Sequence, residues 1–372
     1  MQPTGASDKL IPPTMPAVYL PAPPHNRKHH KPKPTHLRYC ANFPTPQRTD
    51  TQYLLKVHAT ALCRGELEWP HLLHRRDTGA IIGHDICGIV LSTPVTDEHL
   101  RDGPKFKVGD HVFGLIELGR DGAAADCVAA EEDELAFKPK NLCAVEAASL
   151  PHAALMAYQA LVERLGVETW LKEYGGKEET RPLRVLVLGA DGASGVGMQA
   201  IQMLRSRSLF GNVGVWICAT AKTKGDESVL RNGLLRVDEV IDCEEDSDDL
   251  VGVWRTRGLE PVHLVLDCVG DDETLRQARN KEILREDGRA TTAAVETECQ
   301  ARELSGNRQI SSAAFSVEPD AERLEIIREL VERGELKPYV DKVFDLHEAK
   351  EAMMYIESGR ARGKVVLRVN YD

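Results

Sequence analysis

The stretch Arg184 to Leu204, RVLVLGADGASGVGMQAIQML, limits the fold of this chain more than any other. Four apolar residues, Val185, Leu186, Val187 and Leu188, read as a buried strand. They run into glycines at 189, 192, 195 and 197, after which Val196, Ala200, Met203 and Leu204 recur at helical spacing. Strand, glycine turn and helix in that order form a dinucleotide-binding fingerprint. Glycine lets the main chain turn sharply and approach a diphosphate, because no Cβ intervenes. The N–H groups that open the following helix then face the anion. A glycine cluster can also serve packing alone, so the surroundings decide. Gly214 to Ala221 (GVWICATA) reads as a second buried strand, and His263 to Val269 (HLVLDCV) as a third. A fourth, Arg289 to Val295, follows the turn signal Glu286-Asp287-Gly288. Helical patterns lie between them. This alternation predicts an α/β domain with a doubly wound parallel sheet, which takes its ligand at the carboxyl ends of the strands.

The form of the nucleotide is also readable. A binder of NAD usually carries Asp or Glu at the end of the second strand, against the ribose 2′-hydroxyl. Here that position reads Ala219-Thr220-Ala221, and Lys222 and Lys224 follow. A missing carboxylate and two cations favour a 2′-phosphate, hence NADP(H). The alternative is that the lysines only coat an exposed loop.

With 372 residues, two domains are the natural count. A net charge of −11 and an aromatic content of 5% argue against nucleic acid as a partner. No run approaches the ~18 apolar residues of a membrane span, and the N-terminal residues lack the apolar core of a secretory signal. The polar, basic segment Pro24 to Pro34 reads as a solvated loop. Nine cysteines are scattered without a CxxC pair, which fits a reducing, cytoplasmic setting.

The N-terminal part has another texture. Short strand-like runs at Tyr53–Ala59, Ile86–Leu91, His111–Leu115 and Asp126–Ala130 are punctuated by glycines and predict a small antiparallel barrel. Gly363 to Val369 (GKVVLRV) reads as a further strand that returns to complete the fold.

These motifs, taken in order, resemble the medium-chain dehydrogenase/reductases, and most closely their zinc-independent quinone-oxidoreductase-like branch. The resemblance covers roughly residues 15 to 370. It is carried by VHATALCRGELEWP (57–70), IIGHDICGIV (81–90), FKVGDHVFGL (106–115), EAASLPHAALMAYQAL (146–161), the glycine turn, LVLDCVG (264–270) and the tail GELKPYVDKVFDLHEAKEAMMYIESGRARGKVVL (334–367). It implies a GroES-like catalytic domain over 1–155, completed by 315–372, and a Rossmann domain over 156–314, with a cleft between them. It implies NADPH as hydride donor, a small-molecule substrate and a homodimer. By motif position, Gly192, Ser194, Gly195, Val196 and Gly197 would surround the pyrophosphate. Lys222 would approach the 2′-phosphate, and Cys268, Val269 and Gly270 would line the strand end near the nicotinamide. The turn GADGASGVG is about two residues longer than the family pattern, which leaves open which glycines touch phosphate.

Zinc-dependent relatives hold a metal with Cys, with His of a GHE motif, and with a third Cys or Glu. Here Cys63, His84 and His152 fall at or near those positions, with Glu66 and Asp85 as possible oxygen donors. Such a set with one water would make an open tetrahedral site. Quinone-reductase-like members keep the GHD turn without metal, and the four-cysteine loop of a structural zinc is missing, so the expectation is no metal. An enone or quinone acceptor then needs hydrogen bonds and a proton from side chains. Arg64, His84 and His152 are the candidates: Arg64 to steady negative charge and His152 to give a proton. Each has a structural alternative, with Arg64 and Glu66 as a surface ion pair and Asp85 bound to backbone. Other readings of the chain are a zinc alcohol dehydrogenase, a trans-acting enoyl reductase of polyketide synthesis, and a non-catalytic NADPH-binding protein.

Overall fold

The structure, a computed structural model, describes residues 11–22, 32–68, 79–95, 103–174, 182–190, 195–212, 214–221, 224–233, 235–242, 249–268, 270, 272–293, 310–311 and 317–371. The basic segment expected to be a loop, Pro24 to Pro34, lies mostly outside them. The chain divides into two compact units. The first comprises Met1–His152, Glu318–Glu332 and Pro338–Asp372, and the second Ala153–Val317 and Arg333–Lys337.

The first unit begins with β1 (Thr14–Leu20), β2 (Arg38–Pro44), β3 (Tyr53–Leu62), β4 (Ala80–Ile81), β5 (Asp85–Ser92), β6 (His111–Leu115), β7 (Cys127–Ala130) and β8 (Leu135–Phe137). β3 and β5 carry its core. On β3, Tyr53, Leu55 and Val57 alternate inward and pack against Ile86 and Val90 of β5, with Phe106 and Val112 behind them. Each such side chain, fully buried, contributes about 1.5–3 kcal/mol. The β1 and β2 pair is absent from the sequence expectation for good reason. β1 contains Pro16, where its register with β2 shifts, and β2 is largely exposed, so neither shows clean alternation.

The second unit holds β9 (Leu183–Leu188), β10 (Val215–Ala221), β11 (Glu239–Asp242), β12 (Val262–Asp267), β13 (Leu284–Thr292) and β14 (Ile310–Ser311). They form one sheet in the order β11-β10-β9-β12-β13-β14, and every pair is parallel. This is the doubly wound arrangement, with β9 at the centre and the order reversing beside it. The fourth expected strand starts earlier than its turn signal suggested. β13 passes through Glu286-Asp287-Gly288, and the pairing jumps from Val262↔Leu284 to Leu264↔Arg289, so these polar residues bulge from the sheet rather than end it. The surface turn expected over Glu168–Glu179 is replaced in part by a helix, Val167–Tyr174. Val167, Trp170 and Leu171 share one side of it, and the Trp170 ring lies tilted against His263, with ring centroids 4.8 Å apart.

After the second unit the chain returns to the first. β15 (Val340–Asp345) pairs in parallel with β16 (Lys364–Arg368), and β16 runs antiparallel to β3. The result is a seven-stranded sheet in the order β15-β16-β3-β5-β6-β8, with β7 also on β3. The fold is therefore a Rossmann sheet together with a GroES-like β unit. No helix among the described residues is long and apolar enough to cross a membrane.

Candidate functional site

In the second unit, Gly189 directly follows β9 and Gly195 opens the helix Val196–Arg205, both with positive φ (66° and 73°). Gly195 offers no side chain to cap the helix, so the first-turn N–H groups keep the polarity that suits an anion. Gly197 has a different task. A Cβ there would stand 2.6 Å from Cα of Ala190, so its hydrogen lets the helix lie against the end of β9. Thr220, at the end of β10, anchors the start of the turn. Gly189 N–H donates to its hydroxyl at 2.7 Å, and Ala190 N–H to its carbonyl at 3.2 Å. No acid stands at that strand end; Asp242 on neighbouring β11 lies in register with Ala221. Cys268 follows β12 half-buried, its N–H donating to Leu188 O at 3.0 Å. Gly270 (φ 80°) donates to the Asp267 carboxylate at 3.2 Å. Gly192, Ser194, Lys222 and Val269 lie outside the described residues. The backbone that is described fits a dinucleotide diphosphate: a strand end, two left-handed glycines and an open helix start.

The first unit brings together residues that are far apart in sequence. β3 delivers Cys63 just past its end, and a short turn then places Glu66. The Gly83-His84 corner feeds β5, which starts at Asp85. Gly83 has φ of 80°, and a Cβ on it would meet the Thr60 hydroxyl at 2.5 Å, so only glycine fits the corner. His152 is the second residue of the helix Pro151–Tyr158. The pairing Val365↔Leu62 sets Lys364, the first residue of β16, level with Cys63. All six polar side chains, from Cys63, Glu66, His84, Asp85, His152 and Lys364, are buried.

Lys364 sits at the centre of this group. Its Nζ donates to Cys63 Sγ at 2.9 Å and pairs with Asp85 Oδ2 at 2.9 Å. Burial alone would strip its proton, but the Asp85 carboxylate and the Cys63 sulfur outweigh burial and hold the ammonium charged. The other Asp85 oxygen, Oδ1, accepts from the backbone N–H of His152 at 2.6 Å. Glu66 is held by main-chain donors: Cys63 N–H at 2.9 Å and Gly83 N–H at 2.5 Å. Burial pushes its carboxyl up to about 7, against the pull of those two donors and of Lys364. Burial also pushes the Cys63 thiol up to about 12. His152 is driven well below the ordinary histidine range, by burial first and then by the charges of Lys364 and His84, and is a neutral imidazole. His84 is 7% exposed, more than the other five, and its Nδ1 lies 3.3 Å from Ile116 O. Arg64 projects from the turn between them and is exposed. The surface pair of Arg64 with Glu66 considered from sequence does not form, because Glu66 is turned inward onto backbone donors. Asp85 does bind backbone, as its alternative reading had it.

Among the described residues, no three His, Cys, Asp or Glu side chains are placed to hold a metal ion. The space between Cys63 and Asp85 is taken by an ammonium, whose charge opposes a second cation. As arranged, this donor set does not fit a zinc ion. Lys364 was the residue missed by sequence reading. Its signal was a lysine placed directly before the apolar run Val365-Val366-Leu367. Thr220 was read only as the absence of an acid, although its hydroxyl is what holds the turn.

Residues 49–163 match the alcohol dehydrogenase GroES-like domain family, and residues 235–367 the family described as zinc-binding dehydrogenase. The chain is 32% identical over 343 residues to a probable zinc-binding oxidoreductase, mitochondrial, of Arthroderma benhamiae, covering 88% of this chain and 91% of that protein. It is 29% identical over 339 residues to a 2-methylene-furan-3-one reductase of Solanum lycopersicum, covering 89% and 75%. In fold it is similar to the quinone oxidoreductase of Coxiella burnetii, with a TM-score of 0.74, 24% identity, and coverage of 96% and 99%. With both units and their order in the chain accounted for, the protein belongs to the medium-chain dehydrogenase/reductase superfamily, in its quinone-oxidoreductase-like branch, and is an oxidoreductase.

Proposed function

We propose that this protein is an NADPH-dependent reductase of small α,β-unsaturated carbonyl compounds or quinones, acting without a metal. The observation that carries the reading is the β9 end, with Gly189 and Gly195 left-handed and Gly197 packed on Ala190. When bound, a reduced nicotinamide supplies a hydride to the acceptor. The main-chain N–H groups around Gly195 and Val196 hold the diphosphate, together with Gly192 and Ser194. Gly197 keeps the helix close enough for this. The preference for NADPH rests on the missing acid beside Thr220 and on Lys222 as a phosphate partner. Cys268, Val269 and Gly270 border the nicotinamide side of the sheet.

On the acceptor, negative charge develops on oxygen as hydride arrives, and hydrogen-bond donors stabilise it. Arg64 is permanently charged and exposed, and so can supply that field. His84 is the most accessible member of the buried group and is assigned to the proton. His152 is assigned to orienting: it is neutral and buried, and its backbone N–H fixes Asp85. The substrate class is supported by the name of the tomato relative and by the quinone oxidoreductase fold match. The resemblance to the branch further suggests a homodimer. The free cysteines among the described residues suit a reducing compartment.

The test is direct. Purified protein is titrated with NADPH and with NADH, then mixed with a panel of enones and quinones while nicotinamide absorbance is followed. The expected result is binding of NADPH at least about tenfold tighter than NADH, a difference of roughly 1.4 kcal/mol, and turnover of one acceptor class. Binding of neither nucleotide overturns the assignment. Binding without turnover across the panel selects the non-catalytic reading. A preference for NADH overturns the role of Lys222.

A further inference from the structure

Of the asparagines spread along the chain, Asn232 alone is followed by glycine. The pair Asn232-Gly233 lies in the second unit, just past the helix Lys224–Arg231, in the turn that leads into β11. It stands at the amino end of β11, whereas the nucleotide turn stands at the carboxyl end of β9 in the same parallel sheet. Three observations set the pair apart. Asn232 and Gly233 are both exposed. Gly233 has φ of 63°, and no atom lies within 4 Å of the place where a Cβ would stand, so nothing crowds a change in its main-chain angles. The turn is also tight: Arg236, with φ of 43°, is the one residue other than glycine with positive φ among the described residues. The Asn232 carboxamide donates from Nδ2 to Ser228 O at 2.6 Å, an exposed hydrogen bond for which water competes.

A carboxamide beside a glycine amide is an electrophile next to a nucleophile. The Gly233 main-chain nitrogen can attack Cγ of Asn232 and close a five-membered cyclic imide. The new N–C bond replaces the bond from Cγ to Nδ2, and Nδ2 leaves as ammonia with the hydrogen that the Gly233 nitrogen gives up. Water then opens the ring at either carbonyl. One opening leaves aspartate, and the other leaves isoaspartate, in which the main chain runs through Cγ. Water is the sole co-reactant. A side chain on the following residue hinders the attack, and glycine has none. Asn42, Asn141 and Asn280 precede Phe43, Leu142 and Lys281, and lack that opening. The Asp287-Gly288 pair is a poorer site as well. A Cβ on Gly288 would stand 2.5 Å from Leu284 Cδ1, so the main chain there is packed, and a carboxylate is a weaker electrophile than an amide. We propose that Asn232 is a site of spontaneous deamidation in the folded protein, through a cyclic imide with Gly233 to aspartate and isoaspartate. The product adds one negative charge to a chain of net charge −11, and its isoaspartyl form lengthens the main chain of a tight turn. The inference concerns the second unit's surface alone and does not depend on nicotinamide binding.

The full-length protein is aged in mildly alkaline buffer while circular dichroism confirms that it stays folded, beside a synthetic peptide spanning residues 228–237. Samples are digested and mapped by mass, and isoaspartate is labelled by an isoaspartyl methyltransferase supplied with S-adenosylmethionine. The peptide that carries Asn232 is expected to gain about 1 Da and to take up the methyl label. Its rate is expected to lie within about tenfold of that of the synthetic peptide. The peptides that carry Asn42, Asn141 and Asn280 should stay unchanged over the same time. Asn232→Gln keeps the amide but needs a larger ring, and should slow conversion at the site at least about tenfold. Two results overturn the proposal. One is a folded protein in which Asn232 converts more than about tenfold more slowly than the synthetic peptide. The other is a mass gain and methyl label that arise at another asparagine, or that persist undiminished in Asn232→Gln.

Discussion

The two units handle charge in opposite ways. At the glycine turn of the second unit the polarity is supplied by main-chain N–H groups, and side chains are reduced to hydrogen so that the backbone can come close. At the Lys364 group of the first unit the charge is supplied by side chains, and the backbone serves as their clamp, through Cys63, Gly83 and His152 N–H. The first design suits a charge that arrives and leaves with a ligand. The second suits a charge that never leaves. A buried ammonium without a carboxylate would be severely destabilising, so this charge must be part of the fold itself. Main-chain dipoles at the turn and full side-chain charges at the Lys364 group are thus two separate ways in which one chain places polarity.

That contrast can be broken most forcefully at Lys364. Lys364→Met or Asp85→Asn alone should cost about 3–5 kcal/mol, since each leaves the other partner buried and uncompensated. The double variant should recover most of that loss. Denaturant melts of the four proteins give the coupling, and additive losses would refute the claim that the pair is structural. Next is Gly197→Val, which pushes a branched side chain into Ala190. It should cost about 1–3 kcal/mol in thermal or denaturant melts and abolish nucleotide binding. Retained NADPH affinity would show that helix closeness is not what shapes the turn.

A subtler test concerns Glu66. Its carboxyl is raised to about 7 in the fold, by burial above all. The folded state therefore holds this proton more tightly than the unfolded chain. The associated stability is fully present below the unfolded value near 4.5 and is lost as pH rises through 7. Between pH 5 and 8 this one group should withdraw on the order of 2–3 kcal/mol. In Glu66→Gln that part of the slope disappears, so the stability gap between the two proteins narrows as pH rises. Parallel curves would exclude Glu66 as the titrating group. The smallest effect expected is that of Thr220→Val, which leaves Gly189 N–H without its 2.7 Å acceptor. It should lower stability by roughly 1 kcal/mol and weaken NADPH modestly. An unchanged nucleotide affinity would show that the turn keeps its shape without this anchor.

The difference between the units also governs what the amino-acid order reveals. The glycine turn is contiguous: its strand, its glycines and its helix lie within about twenty residues, and periodicity exposes each part. The central strands β9, β10 and β12 were legible because they are buried on both faces and read as apolar runs. β13 was misplaced because its polar bulge at 286–288 imitates a turn, and β1 was hidden by Pro16. In the first unit Cys63, His84 and His152 stood out by residue type, but their relation did not. What organises them is Lys364, and no local pattern ties a lysine at 364 to a cysteine at 63. Only the β16 and β3 register makes them neighbours.

That same register has a consequence for biosynthesis. The second unit is assembled almost entirely from one uninterrupted span and can form while translation is still under way. The first cannot close until the ribosome has passed residue 368, because its sheet waits for β16. Throughout that interval Cys63 and Asp85 lack their amine, and the nascent chain presents a thiol and a carboxylate to whatever cations and oxidants surround it. Late arrival of a single lysine thus both seals the domain and ends its period of chemical exposure.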